Sequence, residues 1–323
     1  MSLDFVELKR TLESLNAPLG AGKVFFVIPE SDSFASDFIG TQKIAGQVHG
    51  SIQKAVDACV SGRGDTIVVL PGAYTQSSSA LAVNKNNVTI MGLAGKLEGT
   101  LITTGVVDES PGAVTGFNTI DVTGHYVTIS GITMASGWHN GGTPTRDVVF
   151  ATGNTFTLKG CLVGYETNEG SALRGIVLKG SFPRVLDCRF DNCIKGGAAV
   201  FFDVSGGSLR NPVVQGCHFT GVNNNDTNNN FAFAAAASSA NSSWGLLIKG
   251  NVFDPAGTGG ATGTADELYD LNNGGGGDYE GMICDNLFGV ASIAAANELG
   301  DLSAVIHFIG NKGLNGLSTA VPS

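Results

Sequence analysis

One short phrase recurs eight times between residues 86 and 315, and it restricts the folds open to this chain more than any other feature. It reads VTIMGLAG ending at Gly95, VTISGITM at Met134, FTLKGCLV at Val163, PRVLDCRF at Phe190, PVVQGCHF at Phe219, LLIKGNVF at Phe253, GMICDNLF at Phe288 and IHFIGNKG at Gly313. Aligned on its central Gly or Asp, the phrase falls at Gly92, Gly131, Gly160, Asp187, Gly216, Gly250, Asp285 and Gly310. The intervals are 39, 29, 27, 29, 34, 35 and 25 residues. A unit of about 25 residues that varies only by lengthening lies in the range of solenoid repeats.

Within each copy apolar residues alternate up to the central residue and resume out of phase after it. Val127 and Ile129 precede Gly131, with Ile132 and Met134 beyond it. Period two marks a strand with one buried face, and a Gly at the phase slip marks a bend that keeps both segments facing inward. Second strands lie between the phrases: TIDVTG ending at Gly124, VVFATG at Gly153, IVLKGS at Ser181 and FFDVSG at Gly206. Two or three strands per coil leave too little chain for a helix in every repeat, which removes leucine-rich, ankyrin and TPR-type solenoids. The sequence predicts an all-β fold, a parallel β-helix.

Stacked coils imply ladders of like residues. One position after the anchor stand Cys161, Cys188 and Cys217, then Asn251, Asn286 and Asn311; three after it stand Phe190, Phe219, Phe253 and Phe288. Small thiols, self-pairing amides and stacked rings all suit such columns. The six cysteines form no CxxC pair, so the Cys column reads as packing and no structural metal is expected.

Composition agrees. Glycine makes up 47 of 323 residues, against 14% charged, which excludes a charged disordered chain and a coiled coil. With 18 Lys+Arg against 28 Asp+Glu the net charge is -10, which repels phosphate backbones; nucleic acid is not an expected partner. The first sixteen residues carry Asp4, Glu7, Lys9, Arg10 and Glu13, so a signal peptide is not expected, and no apolar run is long enough for a membrane span.

The N-terminal region differs from the repeat. Ser51–Thr75 reads as a helix with Ile52, Ala55, Val56 and Cys59 on one face, a turn at Gly62–Asp65, a strand over Thr66–Leu70 and a Pro-Gly turn. The pattern SIQ-x-A-V, GD-x-I-x-V, PG-x-Y resembles the opening of pectate-lyase-like right-handed parallel β-helix proteins, in which a helix covers the first coil. The resemblance runs to about residue 317 and implies a right-handed β-helix with an N-terminal helical cap. That superfamily holds lyases, hydrolases, phage tailspikes and non-catalytic virion proteins, so it implies fold more than activity. The expected organisation is an arm with a short helix over 1–20, a strand and capping helix over 21–64, the β-helix over 65–317 and a tail over 318–323. Phe5, Leu8, Leu12 and Leu15 form one apolar stripe on the arm. It either folds back on the cap or docks on a neighbouring subunit or assembly.

No catalytic constellation is legible. Asp121 and Asp203 each stand three before a closing Gly, with Phe150 and Val177 between them in that column, so they read as too far apart to form a pair. The best candidate for a glycan or partner contact is the loop carrying Trp138, His139, Arg146 and Asp147, where an aromatic stands beside polar groups. The long intervals place insertions at Val222–Ser243 and Pro255–Glu280. The second carries Asp266, Glu267, Asp270, Asp278 and Glu280, of the chemistry that holds Ca2+, but no calcium-loop signature organises it. No cofactor is expected.

Two functional expectations follow. The first is a structural virion protein, made in a host cytoplasm, that resembles the β-helix proteins of tailed phages: a capsid-decoration, cement or head-fibre protein working by contact with a capsid or other virion protein, with a homotrimer favoured. The alternative is a polysaccharide lyase, depolymerase or glycan-binding β-helix.

Overall fold

The computed structural model of the chain describes residues 22–29, 46–76, 79–93, 100–104, 117–135, 147–164, 174–191, 198–205, 207–220, 231–235, 243–253, 269–271, 279–288, 300–301 and 306–313. Among these the strands form three parallel sheets of 12, 9 and 8 strands. The chain visits the sheets in a fixed order. One coil runs Thr128–Ser130 in the first sheet, Thr133–Ala135 in the second and Asp147–Ala151 in the third; the next runs Thr157–Lys159, Leu162–Val163 and Arg174–Leu178. Each strand pairs in parallel with its counterparts in the coils before and after, as Leu158 does with Ile129 and Val185.

The recurrent phrase is the corner between the first and second sheets. Its central residue has positive φ at Gly131, Gly160, Asp187, Gly216, Gly250, Asp285 and Gly310, between 53° and 67°. Gly and Asp are among the residues that enter this left-handed region most readily, which explains the anchor's composition. The closing glycines answer a different constraint. A Cβ on Gly153 would lie 1.9 Å from the carbonyl oxygen of Gly124, and one on Gly180 would lie 2.2 Å from that of Gly153, so this column permits no side chain.

Most of the longest connections lie at one corner. The links from second to third sheet span 105–119, 136–146, 164–173, 192–197, 221–230, 254–268 and 289–299, whereas first-to-second corners from Gly131 onward take two residues. The two insertions expected at 222–243 and 255–280 therefore need correction. Phe231–Ala235 is a strand of the third sheet, with Phe233 buried, and Tyr269–Asp270 pairs with it through Phe233 and Ala234. A closed coil needs its third strand whatever the loop before it, so a lengthened interval still contains one.

The main apolar core runs along the solenoid, filled by inward residues such as Ile90, Ile129, Leu158, Val185, Val214, Ile248 and Ile283, and a smaller cluster around Phe26 and Val68 lies outside it. At the N-terminal end Val24–Val27 pairs with Val48–His49 and with Asp65–Val69, extending the first sheet. The helix Ile52–Ala58, called α1, is capped by Ser51, whose hydroxyl accepts the Lys54 N–H at 3.3 Å. It buries Ile52, Ala55 and Val56 in the same core as Phe25 and Val27. Asp65 ties this end together: its carboxylate accepts the N–H groups of Lys23 and Val60, each at 2.8 Å, and pairs with Arg63. Burial alone raises its pKa, but the Arg63 bond and the two backbone donors outweigh it and hold the carboxyl below its ordinary range. No helix among the described residues is long and apolar enough to cross a membrane.

Candidate functional site

The third sheet's outer face gathers several charged and polar groups. Val148 and Val149 both belong to the inner core, as do Ala199 and Val200, while Phe150 and Phe201 do not. Two consecutive inward residues slip the alternation, so the residues just before them, Asp147 among them, come out on the face shared with Phe150 and Phe201. Asp147 and Arg174 stand opposite one another in adjacent coils. Arg174 binds both carboxylate oxygens, Nε to Oδ1 at 2.7 Å and Nη2 to Oδ2 at 3.0 Å. Its guanidinium carbon lies 4.4 Å from the centroid of the half-buried Phe201 ring one coil further on. Carboxylate, guanidinium and aromatic ring thus succeed one another along three coils.

Further groups surround this set. Asn118 donates from Nδ2 to Asp121 at 2.7 Å and accepts the Asp147 N–H at 2.9 Å. Lys179 reaches both Asp203 and the Ser205 hydroxyl at 3.2 Å, and the Ser205 N–H donates to Asp203 at 2.8 Å. The pKa values of the two buried acids shift in opposite directions. Burial pushes the Asp147 carboxyl above its ordinary value; Arg174 opposes this, and the charges of Asp121 and Asp203 add to it. Burial also acts on Asp203, but bonds from Ser205 and Lys179 outweigh it and hold that carboxyl below its ordinary value.

The register corrects one expectation. Phe150 pairs with Asp121 and Val177, and Val177 with Phe201, so that column reads Asp121, Phe150, Val177, Phe201. Asp203 belongs two places later, beside Lys179, because Leu178 pairs with Phe202. The successor of the glycine column at Gly180 is Val204 and not Gly206, so counting back from Gly206 misplaced the Asp by two residues.

Of the loop proposed as a contact site, Asp147 is the part the structure places. Trp138, His139 and Arg146 lie outside the described residues, as do the arm residues Phe5, Leu8, Leu12 and Leu15. In the acidic insertion, Asp266, Glu267 and Asp278 are likewise outside them, Asp270 is in a third-sheet strand and Glu280 is exposed in Tyr279–Cys284. Among the described residues no three His, Cys, Asp or Glu side chains come together as a metal site. Arg174, Lys179, Phe201 and Asn118 were not singled out from sequence. The signal for Arg174 was present: it follows Asp147 by 27 residues, the same interval that separates Gly160 from Asp187.

The ladder residues lie inside. Cys161, Cys188 and Cys217 are buried free thiols, each donating to the carbonyl two residues before it. Asn251, Asn286 and Asn311 are buried and bonded coil to coil. Phe190 stacks on Phe219 and Phe219 on Phe253, each pair 4.9 Å between centroids. Phe288 is in backbone register with Phe253, and its side chain lies outside the described residues.

Compared by sequence, the chain matches no family model and no curated protein. Compared by structure, it is similar to the pectin methylesterase PemA from Erwinia chrysanthemi, with a TM-score of 0.52 and 11% identity over 94% of this chain and 92% of that one. It is similar too to Escherichia coli YbhC, with a TM-score of 0.51 and 14% identity over 91% and 85%. The chain is a right-handed parallel β-helix. At these identities the likeness is one of fold, and the outer face of this β-helix must be read from its own residues.

Proposed function

We propose that this β-helix recognises a polysaccharide, laid across the outer face of its third sheet at Asp147, Arg174 and Phe201. The observation that carries the reading is the guanidinium of Arg174, shared between the buried Asp147 carboxyl and the face of Phe201. Aromatic rings bind sugar rings, and fixed guanidinium and carboxyl groups read hydroxyls and carboxylates beside them. The connections that enter the third sheet at the edge where Asp147 and Arg174 stand run from 6 to 15 residues from 105–119 onward, so segments of varied length border this face. A structural neighbour, PemA, is a pectin methylesterase, which supports a carbohydrate reading of the same scaffold.

Burial raises the pKa of Asp147 while bonds from Ser205 and Lys179 lower that of Asp203, and each acid is ion-paired, so the face offers fixed charged groups to sugar hydroxyls. The test uses polygalacturonate, its methylated form and neutral polysaccharides, with binding read by titration calorimetry and turnover by reducing-end and 235 nm absorbance assays. Binding of one class, weakened at least tenfold by Arg174→Ala, supports the reading; no binding to any of them overturns it.

A second reading, a phage virion contact protein, draws on the internal ladders. The bonded Asn column and the stacked Phe column make a stiff rod suited to a scaffold. On that reading the arm carrying Phe5, Leu8, Leu12 and Leu15 supplies docking, and the assembly is a trimer on a particle surface. Stoichiometric copies on purified particles, with no polysaccharide bound, would favour it over the first.

A further inference from the structure

The corner between third and first sheets carries a feature that neither the folding of the coil nor the third-sheet site accounts for. Its residues align coil by coil as Asn87, Tyr126, Thr155, Phe182, Asn211 and Gly245, each with a φ between 48° and 69°. Backbone bonds fix that alignment: Tyr126 N–H donates to Asn154, Thr155 to Ser181, Phe182 to Arg210 and Asn211 to Trp244. Asn and Gly are the residues that such a position favours, and three of the six places bear them; Thr155, β-branched, is strained there too. Tyr126 and Phe182 break the local rule. Bulky residues in this region are genuine outliers, and such outliers concentrate where a function keeps them.

Neither side chain repays the strain by burial. Tyr126 is 63% exposed and Phe182 is 45% exposed. Trp244, one position before Gly245, is 42% exposed, with the Arg210 guanidinium 5.6 Å from its ring. The three aromatics stand on alternate coils, so their backbones are spaced roughly 10 Å apart along the solenoid axis, twice the strand separation of about 4.8 Å. An extended β-1,4-linked glucan turns each sugar over relative to the last and presents the same face every second unit, a repeat of about that size.

We propose that Tyr126, Phe182 and Trp244 form a linear aromatic track on which alternate units of a neutral, extended β-linked polysaccharide stack, separate from the Asp147–Arg174 face. Exposed Arg210 and Asn211 lie between the second and third rings and supply polar groups to the sugar hydroxyls. The inference rests on the polysaccharide reading for the class of ligand and on its own residues for the site.

The local strain supplies a clean test. Asn is a favoured residue at the two strained positions, and Trp244 is a partly exposed strand residue, so a Tyr126→Asn/Phe182→Asn/Trp244→Thr variant should fold with a melting temperature close to that of the wild type. Affinity electrophoresis through gels holding hydroxyethyl cellulose or mixed-linkage β-glucan, with amylose as the α-linked control, reads binding. The expected result is retardation of the wild type by the β-linked glucans only, weakened at least tenfold in the track variant and retained in Arg174→Ala. If the wild type is not retarded by either β-glucan, or the folded track variant is retarded equally, the track is overturned. Loss of binding in Arg174→Ala alone sinks the track and leaves the third-sheet reading standing; loss in the track variant alone supports the track, and the third-sheet reading is then decided by the calorimetric panel. Absence of binding to these gels and to every polysaccharide in the calorimetric panel removes both.

Discussion

Asn286 donates from Nδ2 to Oδ1 of Asn311 at 2.8 Å, with both side chains buried in successive coils. Its own Oδ1 accepts the N–H and Nδ2 of Asn251 at 2.9 and 3.0 Å, and its Nδ2 also reaches the Ile248 carbonyl at 3.1 Å. Asn286→Ala strands several buried polar groups at once. Each unsatisfied group costs about 1–3 kcal/mol, so a loss of about 3–5 kcal/mol in unfolding free energy is expected, read by urea denaturation. A loss under 1 kcal/mol would mean the column contributes shape and not bonding.

His125 occupies an analogous column at an exposed corner. Its Nδ1 accepts the Asn154 N–H at 3.0 Å, its N–H donates to Asn86 Oδ1 at 2.8 Å, and Asn154 Oδ1 accepts the Ser181 N–H at 2.8 Å. Because Nδ1 accepts, the ring proton is assigned to Nε2. Asn does the same work in the coils on either side, so His125→Asn should stay within about 0.5 kcal/mol of wild type while His125→Leu loses about 1 kcal/mol. Equal melting of both variants would remove the side chain from the ladder.

Asp147 gives a pH dependence of defined sign. Its folded-state pKa is raised, so the native state binds more protons than the unfolded chain between the ordinary carboxylate value, about 4, and the higher folded value. The stability it contributes is full below the ordinary value and is lost as pH rises through the folded one. Asp203 and Asp65 act in the opposite sense, losing their contribution as pH falls through their depressed values. Melting temperatures taken from pH 3 to 8 should therefore show a component falling with pH that Asp147→Asn abolishes; an unchanged profile in that variant contradicts the assignment.

The buried thiols should be inert. Burial, with hydrogen bonding to Cys188 and its charge adding, pushes the Cys161 and Cys217 thiols well up, and burial, helped by the Asp65 charge, pushes Cys59 up to about 12. N-ethylmaleimide at pH 8 should leave Cys59, Cys161, Cys188 and Cys217 unmodified in the native protein and label all four in denaturant, read by peptide mass spectrometry. Rapid native labelling of Cys161 would show that the coil opens there.

What could be read beforehand followed from repetition. The corner between first and second sheets recurs with two residues and a positive φ, so its Gly/Asp anchor and the columns beside it stand out in the bare chain. The third sheet was less legible, because the seven long connections that precede its strands differ in length and break the period. Phe231–Ala235 was hidden for that reason inside an apparent insertion. Asp203 was misplaced because the coil that contains it ends in Val204 where earlier coils have Gly.

By itself, the order of residues determined that this protein coils, which residues line its interior and how many coils follow one another, since inward alternation and the corner residues are local properties repeated at each turn. Only the tertiary structure decided which outer residues meet. Asp147, Arg174 and Phe201 lie 27 residues apart at each step and come within bonding distance because parallel strands of successive coils stand about 4.8 Å apart, with their register set by the whole stack.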